Sequence, residues 1–435
     1  MERSAYPLRT TVLWEYEYMH MRIAILWLVL ALYGLSALPS GARDLFIADM
    51  EVEDESVFQG TNKIFKIVDF FDNKSLEEFF PNYTPNSAVF ARVDLRGLGV
   101  VIEYPENSPV LIFRVPGTRF EIVFEGETRD ESQELFEDWL KGNYESASAS
   151  DAKLTTLLQL LVRYSPVDPV AGNPNSLQTR MFLSDFDAGI TGPFISASGR
   201  IEGIKNQFTF GAEYGFFDAG AFDGQVVNVP INYKWNLKSV PKLSIIFDLP
   251  VTLTRTEGAW SYMASFGTGV QFRPTRWWSL TPMVRAGGVG SLHVGALAVL
   301  VSGSLTNYFH YKMGSTHLGF VTLGGMSTTI DGIKIKGYDL SYELTNYVLR
   351  NGVDLTQQLD FNVLGNPAAF KLFFNFTQFW GNELYLNTFY DMGLGVATVK
   401  KIADSYVNAI DFSFTYAAGV TNDYDYYGFK ITCRF

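Results

Sequence analysis

The stretch "YYGFKITCRF" (426–435) alternates strictly between apolar residues and small or polar ones, which is typical of a β-strand with two unlike faces. One parity carries Tyr427, Phe429, Ile431, Cys433 and Phe435. The other parity carries Gly428, Lys430, Thr432 and Arg434. Such a strand can bury its apolar face in a soluble core or turn it toward lipid, so the rest of the chain must decide between these two structures.

The same alternation recurs throughout residues 206–435. It is clear in "FTFGAEYGF" (208–216), in "FKLFFNFTQFW" (370–380) and again in "YDLSYEL", while "NG" and "GN" pairs mark turns between runs. The count is roughly twelve runs from residue 206, with one more if 353–363 is separate from the run before it. The stretch "MFLSDFDAGIT" (181–191) is a candidate for a further strand, which would restore an even number.

The composition of the two faces favours a membrane barrel over a soluble sandwich. The polar parity is rich in Ser, Thr, Asn and Gly with isolated charges, and the apolar parity is rich in Phe, Tyr and Leu. The runs are about 9–14 residues long, close to the ~9–11 that cross a bilayer as a tilted strand. We therefore expect a mainly β fold: a C-terminal antiparallel transmembrane β-barrel of about 12–14 strands, preceded by a small α+β soluble domain.

The N-terminal segment has the pattern of an export signal. A short basic start, "MHMR", precedes the apolar run "IAILWLVLALYGLSAL", and small residues follow it. We expect residues 1–42 to be a signal peptide that is cleaved between Ala42 and Arg43, with Met19 or Met21 as alternative starts. A membrane anchor is the other interpretation, which the shortness of the apolar run disfavours.

Together, the export signal, the repeated amphipathic runs and the final strand-like stretch resemble the bacterial outer-membrane β-barrel class over roughly residues 181–435. The resemblance implies an outer-membrane location, with the lipid bilayer as the main partner. It also implies that the barrel-assembly machinery recognises the apolar parity of 427–435, with Phe435 as its last aromatic residue. No narrower family is indicated.

Residues 43–180 have the pattern of a soluble region. They hold about 24 acidic and about 13 basic residues, against about 19 and about 18 in 181–435. Four strand-like runs precede two helical patterns, "TRDESQELFEDWLKGN" and "SDAKLTTLLQLLVRYSP". We predict an acidic α+β domain over 43–165, a turn-rich linker over 166–180 and the barrel after it. The domain is expected to be periplasmic or to plug the lumen, and to bind a periplasmic protein partner.

Composition also excludes several classes of function. The net charge of −12, without a basic stripe, argues against nucleic acid as a partner. The single cysteine, Cys433, rules out an intrachain disulfide and a cysteine metal site. We expect no cofactor, no metal and no catalytic residue, because His293, His310 and His317 lie outside any recognisable Ser–His motif.

A channel or transporter for small or hydrophobic solutes is the first functional expectation, and its lumen would carry the charges of the polar parity. These candidate lumen-facing residues are Glu213, Lys234, Asp248, Arg285, Asp339, Glu343, Lys371, Asp391, Asp411, Lys430 and Arg434. Both signs of charge fit either a wet pore or a closed interior of ion pairs. Two alternatives stay open: a barrel that anchors or exports its N-terminal domain, as in autotransporters or scaffolds, and an outer-membrane hydrolase.

Overall fold

The computed structural model describes residues 43–143, 148–190, 206–237, 239–240, 242–330, 334–335, 338–363, 366–399 and 409–435. These residues form an N-terminal α+β region followed by an antiparallel barrel. The expected signal segment, up to and including Ala42, lies outside the described residues.

The α+β region is built on a six-stranded antiparallel sheet with the order β2-β1-β3-β4-β5-β6. Its strands are β1 (Phe46–Val52), β2 (Glu55–Thr61), β3 (Val89–Leu95), β4 (Leu98–Tyr104), β5 (Leu111–Arg114) and β6 (Glu121–Phe124). Its helices are α1 (Ile64–Asp69), α2 (Asn73–Phe79), α3 (Arg129–Lys141) and α4 (Ser148–Tyr164). The α+β prediction is confirmed, and β1 and β2 are additions that the sequence analysis missed.

Helix α3 follows the start and stop signals in its sequence. The Thr128 side chain accepts a hydrogen bond from the Glu131 amide, and Gly142 ends the helix in the left-handed conformation at φ 75°. The buried face of the helix places Phe136 and Trp139 against aromatic side chains of β5 and β6 and their connection. No helix within the described residues is long and apolar enough to cross a bilayer.

The barrel is a closed sheet in which β7 pairs with β22 as well as with the strands that follow it in sequence. Its strand segments are β7 (Asn206–Ala219), β8 (Phe222–Val229), β9 (Ile231–Asn236), β10 (Leu243–Asp248), β11 (Val251–Thr256), β12 (Ala259–Phe272), β13 (Trp278–Ser291), β14 (Ala296–Met313), β15 (Thr316–Ile330), β18 (Thr345–Val363), β19 (Asn366–Gly381), β20 (Thr388–Val399), β21 (Ala409–Gly419) and β22 (Asp425–Arg434). The short pair β16 (Lys334–Ile335) and β17 (Tyr338–Asp339) is separate from it.

Two of the crossing strands are divided at prolines. β8 and β9 meet at Pro230, and β10 and β11 meet at Leu249 and Pro250. The register places the two prolines opposite each other, where neither has an N–H to donate to the ladder. Their carbonyls still accept hydrogen bonds from Gly211 and Ser265 on the outer neighbouring strands. Counting each divided strand once, the described residues form a closed 12-strand barrel, within the predicted range.

The two rims of the barrel differ. We call the rim formed by 220–221, 257–258, 292–295, 382–387 and 420–424 the domain rim, because the α+β region contacts it. The backbone amide of Ile64 donates to the carbonyl of His293 there, at 2.9 Å, and Arg163 pairs with Glu383 at 2.5 Å. We call the opposite rim, where β7 begins and β22 ends, the far rim.

The strand parities are as expected for a barrel in lipid. Large apolar side chains such as Phe266, Val284 and Phe429 are exposed on the outer surface, whereas neighbouring residues of the other parity are buried inside. Aromatic pairs mark both ends of this surface: Trp278 stacks on Phe309 toward the far rim, and other rings stack toward the domain rim. Such girdles sit at the membrane–water interfaces of transmembrane barrels.

Three predicted strand features are wrong. The predicted strand over 181–191 is instead helical over 181–190, in helix α5 (Leu177–Ile190), and Thr191 lies outside the described residues. Its buried residues are Leu177, Gln178, Thr179, Met181, Phe182, Asp185, Phe186, Ala188 and Gly189. Most of them recur at helical spacing, which the strand interpretation overlooked. The "NG" at 351–352 is not a turn but the middle of β18, and 340–344 is not part of a barrel strand.

The α+β core yields a prediction. Trp139 is 1% exposed and packs on several rings, so Trp139→Ala should lower the free energy of unfolding of this region by about 3–5 kcal/mol. Leu135 lies on the same helix and is 47% exposed, so Leu135→Ala should change the free energy of unfolding by less than about 0.5 kcal/mol. Urea-dependent proteolysis of the full-length protein in detergent measures both; equal midpoints would contradict the packing described.

Candidate functional site

Helix α5 lies inside the barrel and crosses it from the domain rim toward the far rim. At its start, the Gln178 amide donates to Asn346 Oδ1 at 2.9 Å and to Ser327 Oγ at 3.1 Å, both near the domain rim. At its end, the carbonyl of Gly189 accepts a hydrogen bond of 2.9 Å from Gln271, near the far rim. The lumen is therefore occupied by a helix that is bonded to the wall at both ends.

The helix fits the wall because glycines make room for it. A Cβ atom on Gly325 of β15 would lie 2.7 Å from the Phe182 ring, and one on Gly352 of β18 would lie 3.0 Å from the Phe186 ring. In reverse, a Cβ on Gly189 would lie 2.5 Å from the Thr306 side chain. Helix aromatics thus sit over wall glycines, and the helix glycine sits over a wall threonine.

A buried ion cluster joins the middle of α5 to the wall. Arg285 of β13 donates to Asp185 of the helix at 2.8 Å and to Asp248 of β10 at 2.5 Å. Its remaining nitrogen donates to Ser265, and Ser304 donates to the second oxygen of Asp185 at 2.7 Å. The guanidinium and both carboxylates are buried. Two carboxylates face one guanidinium, so the hydrogen bonds from Ser304 and Arg285 to Asp185 help to hold the second negative charge.

A second cluster lies beside the first turn of α5. Arg180 donates to Glu213 of β7 at 3.1 Å and to Asn175 at 2.6 Å. Glu213 also accepts from the hydroxyl of Tyr426 at 2.5 Å and from Asn228 at 3.0 Å. A single carboxylate therefore connects the helix to three neighbouring wall strands.

Further pairs line the other side of the lumen. Lys430 of β22 pairs with Asp187 of the helix at 2.8 Å. Arg350 of β18 pairs with Asp391 of β20 at 2.6 Å, and its guanidinium lies 4.6 Å from the centre of the Phe186 ring. The interior is thus a set of ion pairs, several of which have one partner on α5 and the other on the wall.

The segment before α5, residues 165–176, closes the domain rim. We call it the cap; all twelve of its residues are buried although none lies in a regular helix or strand. Within it, Asp168 accepts a hydrogen bond from the Val170 amide at 2.8 Å and organises a turn. The carbonyl of Gly172 accepts from the Leu386 amide at 3.0 Å, and Asn175 donates to the Tyr424 hydroxyl at 2.7 Å, which ties the cap to two rim connections.

A buried polar cluster joins the cap to the α+β region. Arg96, in the turn between β3 and β4, lies 3.3 Å from the Asp168 carboxylate, and both side chains are fully buried. The Tyr342 hydroxyl lies in the same cluster. Burial raises the pKa of Asp168, while Arg96 and the amides of Val170 and Ala171 act in the lowering direction. The cap therefore depends on contacts with both the α+β region and the barrel.

Between α5 and the inner wall remains a cavity of about 250 Å³, whose lining comes from β7–β10, β14, β15 and β18–β22 as well as from α5. It extends from Pro174 and Asn175 of the cap toward Arg434 near the far rim. Its lining mixes both signs of charge with amides, hydroxyls and aromatic rings. The helix packs mainly against β12–β15. Polar space remains along the rest of the wall and reaches Tyr308 of β14 and His317 of β15.

The lumen-facing residues predicted from the sequence fall into two groups. Those on the inner wall are Glu213, Lys234, Asp248, Arg285, Lys371, Asp391, Asp411, Lys430 and Arg434. Among them, Lys234 is buried and donates to Gln271. Two predictions are wrong: Asp339 belongs to the separate strand β17, and Glu343 is exposed in the connection before β18. The alternation of "YDLSYEL" suggested a strand, but this stretch packs over the domain rim.

The other predicted residues lie as follows. The apolar parity of the final strand, at Tyr427, Phe429, Ile431, Cys433 and Phe435, points outward, and the backbone of Phe435 exchanges hydrogen bonds with that of Phe208. Recognition by assembly machinery stays a prediction. Arg43, after the expected cleavage site, pairs with Asp94 at 2.7 Å.

Sequence reasoning missed α5, the cap and Arg96, and it did not separate the three histidines. His293 lies at the domain rim, whereas His310 and His317 lie on the inner wall near the far rim. The signal for α5 was present in its helical spacing, but nothing local identified a helix in a lumen.

A closed barrel with an apolar outer surface and a polar interior defines the outer-membrane β-barrel class, to which the chain conforms. No protein-family model matches the sequence, and no curated protein is similar to it.

Solved barrel structures are similar to it. The β domain of the Bordetella autotransporter BrkA has 14% identity, covers 53% of this chain and 98% of its own, and gives a TM-score of 0.41. The translocator domain of the autotransporter NalP from Neisseria meningitidis has 10% identity, covers 60% and 97%, and gives 0.41. LpxR from Salmonella typhimurium has 11% identity, covers 52% and 99%, and gives 0.35.

The ion cluster yields a prediction with a control on the same helix. Asp185→Asn keeps the side-chain volume but removes a buried charge from Arg285, so it should destabilise the folded barrel by about 2–3 kcal/mol. Asp187→Asn removes a pair in which the aspartate is 55% exposed, and it should cost less than about 1 kcal/mol. Urea unfolding, followed by heat-modifiable migration on gels, compares them; a larger effect of the Asp187 change would contradict this ranking.

Proposed function

We propose that the barrel anchors the α+β region and displays it at the outer surface of the outer membrane, with α5 as the tether through the lumen. The observation that carries this proposal is the path of the chain. The α+β region contacts the domain rim, and α5 runs from that rim to the far rim, where β7 begins. In sequence order, the segment that crosses the lumen, α5, therefore comes before the first barrel strand, β7.

The orientation follows from the strand ends. In the class that the sequence resembles, the barrel inserts from the periplasm, and an even number of strands leaves both ends of the barrel sheet on that side. The far rim, with the start of β7 and the end of β22, would then face the periplasm. On this proposal the α+β region lies outside the cell, opposite to the periplasmic location expected from the sequence.

The contacts at the domain rim support display in a fixed position rather than on a loose linker. Gln159 of α4 donates to the carbonyls of Tyr342 and Glu343 at 3.3 Å, and the carbonyl of Val162 accepts from the Tyr385 amide at 3.1 Å. These bonds join α4 to two different rim connections, so the region is held at several points around the mouth.

A gated channel is the second candidate, and the cavity beside α5 favours it. The cap would have to leave the domain rim before solutes could pass, because its residues are buried among the rim connections and the Arg96 turn. The excess of acidic residues in the α+β region would favour a basic protein partner in either case, since charge complementarity steers association.

Surface display can be tested by labelling intact cells with a membrane-impermeant maleimide, in a background where Cys433 is replaced by alanine. Ser56→Cys places a thiol on the exposed strand β2 of the α+β region, and Ser315→Cys places one in the exposed turn at the far rim. We expect labelling of the first variant only, and of both after lysis. Labelling of Ser315→Cys alone on intact cells would reverse the orientation.

Conductance in planar bilayers separates the anchor from the channel. We expect the full-length protein to give no stable steps, because the cap and α5 occupy the lumen, and a variant lacking residues 43–190 to give steps. Stable steps from the full-length protein would favour the channel. A folded deletion variant without steps would mean that wall side chains alone fill the lumen.

A further inference from the structure

Near the far rim, four side chains with hydrogen-bond donors form a row across four neighbouring strands of the inner wall. Lys312 of β14 is the register partner of His317 of β15, which is opposite Thr356 of β18, which is opposite Lys371 of β19. Directly opposed residues in an antiparallel sheet lie roughly 5 Å apart. The row is therefore a line of donors that follows the hydrogen-bonding direction across these four strands.

His317 is the unusual member of this row. Its side chain is buried, with 6% of the residue exposed, yet neither ring nitrogen has a hydrogen-bond partner within the part of the chain that the structure describes. It lines the lumen cavity together with Thr356 and Lys371. A buried polar group without a partner is costly and rare, so a ligand that supplied one would bind with a favourable contribution.

The acidic group nearest this row is already engaged. Asp354 of β18 is the register partner of Gly319, and its carboxylate is hydrogen-bonded to the Tyr308 hydroxyl. The two groups meet above Gly319, where a Cβ atom would lie 2.0 Å from the carboxylate. The His310 ring stacks on Tyr308 at 5.6 Å and its Nδ1 also has no partner among the described residues. Donors therefore outnumber acceptors on this part of the wall.

We propose that the row from Lys312 to Lys371 is a binding site for an oxyanion, the phosphate or carboxylate group of a small solute that enters from the far rim. His317 and Thr356 donate hydrogen bonds to the anion. Lys312 and Lys371 supply positive charge on either side, and Lys371 does so while its ammonium lies 5.5 Å from the centre of the Phe373 ring. The hydrocarbon core of the bilayer cannot supply the ligand directly, since His317, Thr356 and Lys371 line the lumen cavity.

A cation is the less suitable occupant. Within the described residues, no group of three histidine, cysteine, aspartate or glutamate side chains is placed to hold a metal ion. The row itself contains two ammonium groups and no carboxylate, which repels cations and attracts anions.

Isothermal titration of the full-length protein in a zwitterionic detergent tests the site, with inorganic phosphate and acetate as the probes in chloride buffer. We expect saturable binding of at least one probe, and the pattern distinguishes a phosphate site from one that accepts carboxylates. His317→Phe and Thr356→Val keep shape but remove donors, so each should weaken binding about tenfold or more. His293→Phe, the same substitution at the domain rim, should leave binding unchanged.

Heat-modifiable migration on gels confirms that each variant is folded before titration. If one of the two variants fails to fold, the other still tests the row, because they lie on different strands. Absence of saturable binding to the unmodified protein would overturn the proposal. Equal affinity in the unmodified protein and in a folded Thr356→Val or His317→Phe variant would overturn it too.

Discussion

The structure depends on one constraint: a barrel closed in lipid turns its polar parity inward, and every charge there must be paired or hydrated. Arg285 illustrates the solution, because one guanidinium binds Asp248 from the wall and Asp185 from α5. The wall alone already pairs this cation with one carboxylate, and the second carboxylate, from α5, is held by hydrogen bonds from Arg285 and Ser304. The helix completes the cluster, which makes it part of the barrel interior rather than an added plug.

Shape reinforces charge. The glycines at 325 and 352 remove side chains from the wall where Phe182 and Phe186 of the helix lie. Glycine in a strand interior weakens the strand, and at 325 the close approach of Phe182 explains its presence. At 352 the wall side chains of Asn375 and Val321 approach at least as closely as Phe186 does. The helix is thus fixed in rotation by its ion pairs and in depth by its aromatic side chains, which leaves the polar cavity along the rest of the wall as defined space.

Much of this fold was predictable from the sequence, because alternation of period two is local and is repeated in every crossing strand. The barrel, its strand range and the inward parity of residues such as Glu213 and Arg285 follow from it. The start of α3 follows from a different local signal, the threonine at 128 that precedes a helical pattern. Helix α5 was not predicted, since a helix that is buried on most sides lacks a simple polar face and "MFLSDFD" also fits a strand. The predictions for Asp339 and Glu343 were wrong because alternation cannot distinguish a barrel strand from a connection that packs over a rim. The lack of hydrogen-bond partners around the His317 ring is a property of the tertiary fold, so no local sequence pattern predicts it.

The lumen helix also connects the two halves energetically. An isolated helix of 14 residues is marginal in water, so α5 gains its stability from the closed barrel around it. The cap that precedes it has no regular structure of its own, and it is held by hydrogen bonds to the rim connections and by the ion pair between Asp168 and Arg96. The barrel wall therefore stabilises α5, α5 positions the cap, and the cap contacts the α+β region. These contacts hold the α+β region in one position only while the barrel is closed, which couples the position of the α+β region to the integrity of the barrel interior.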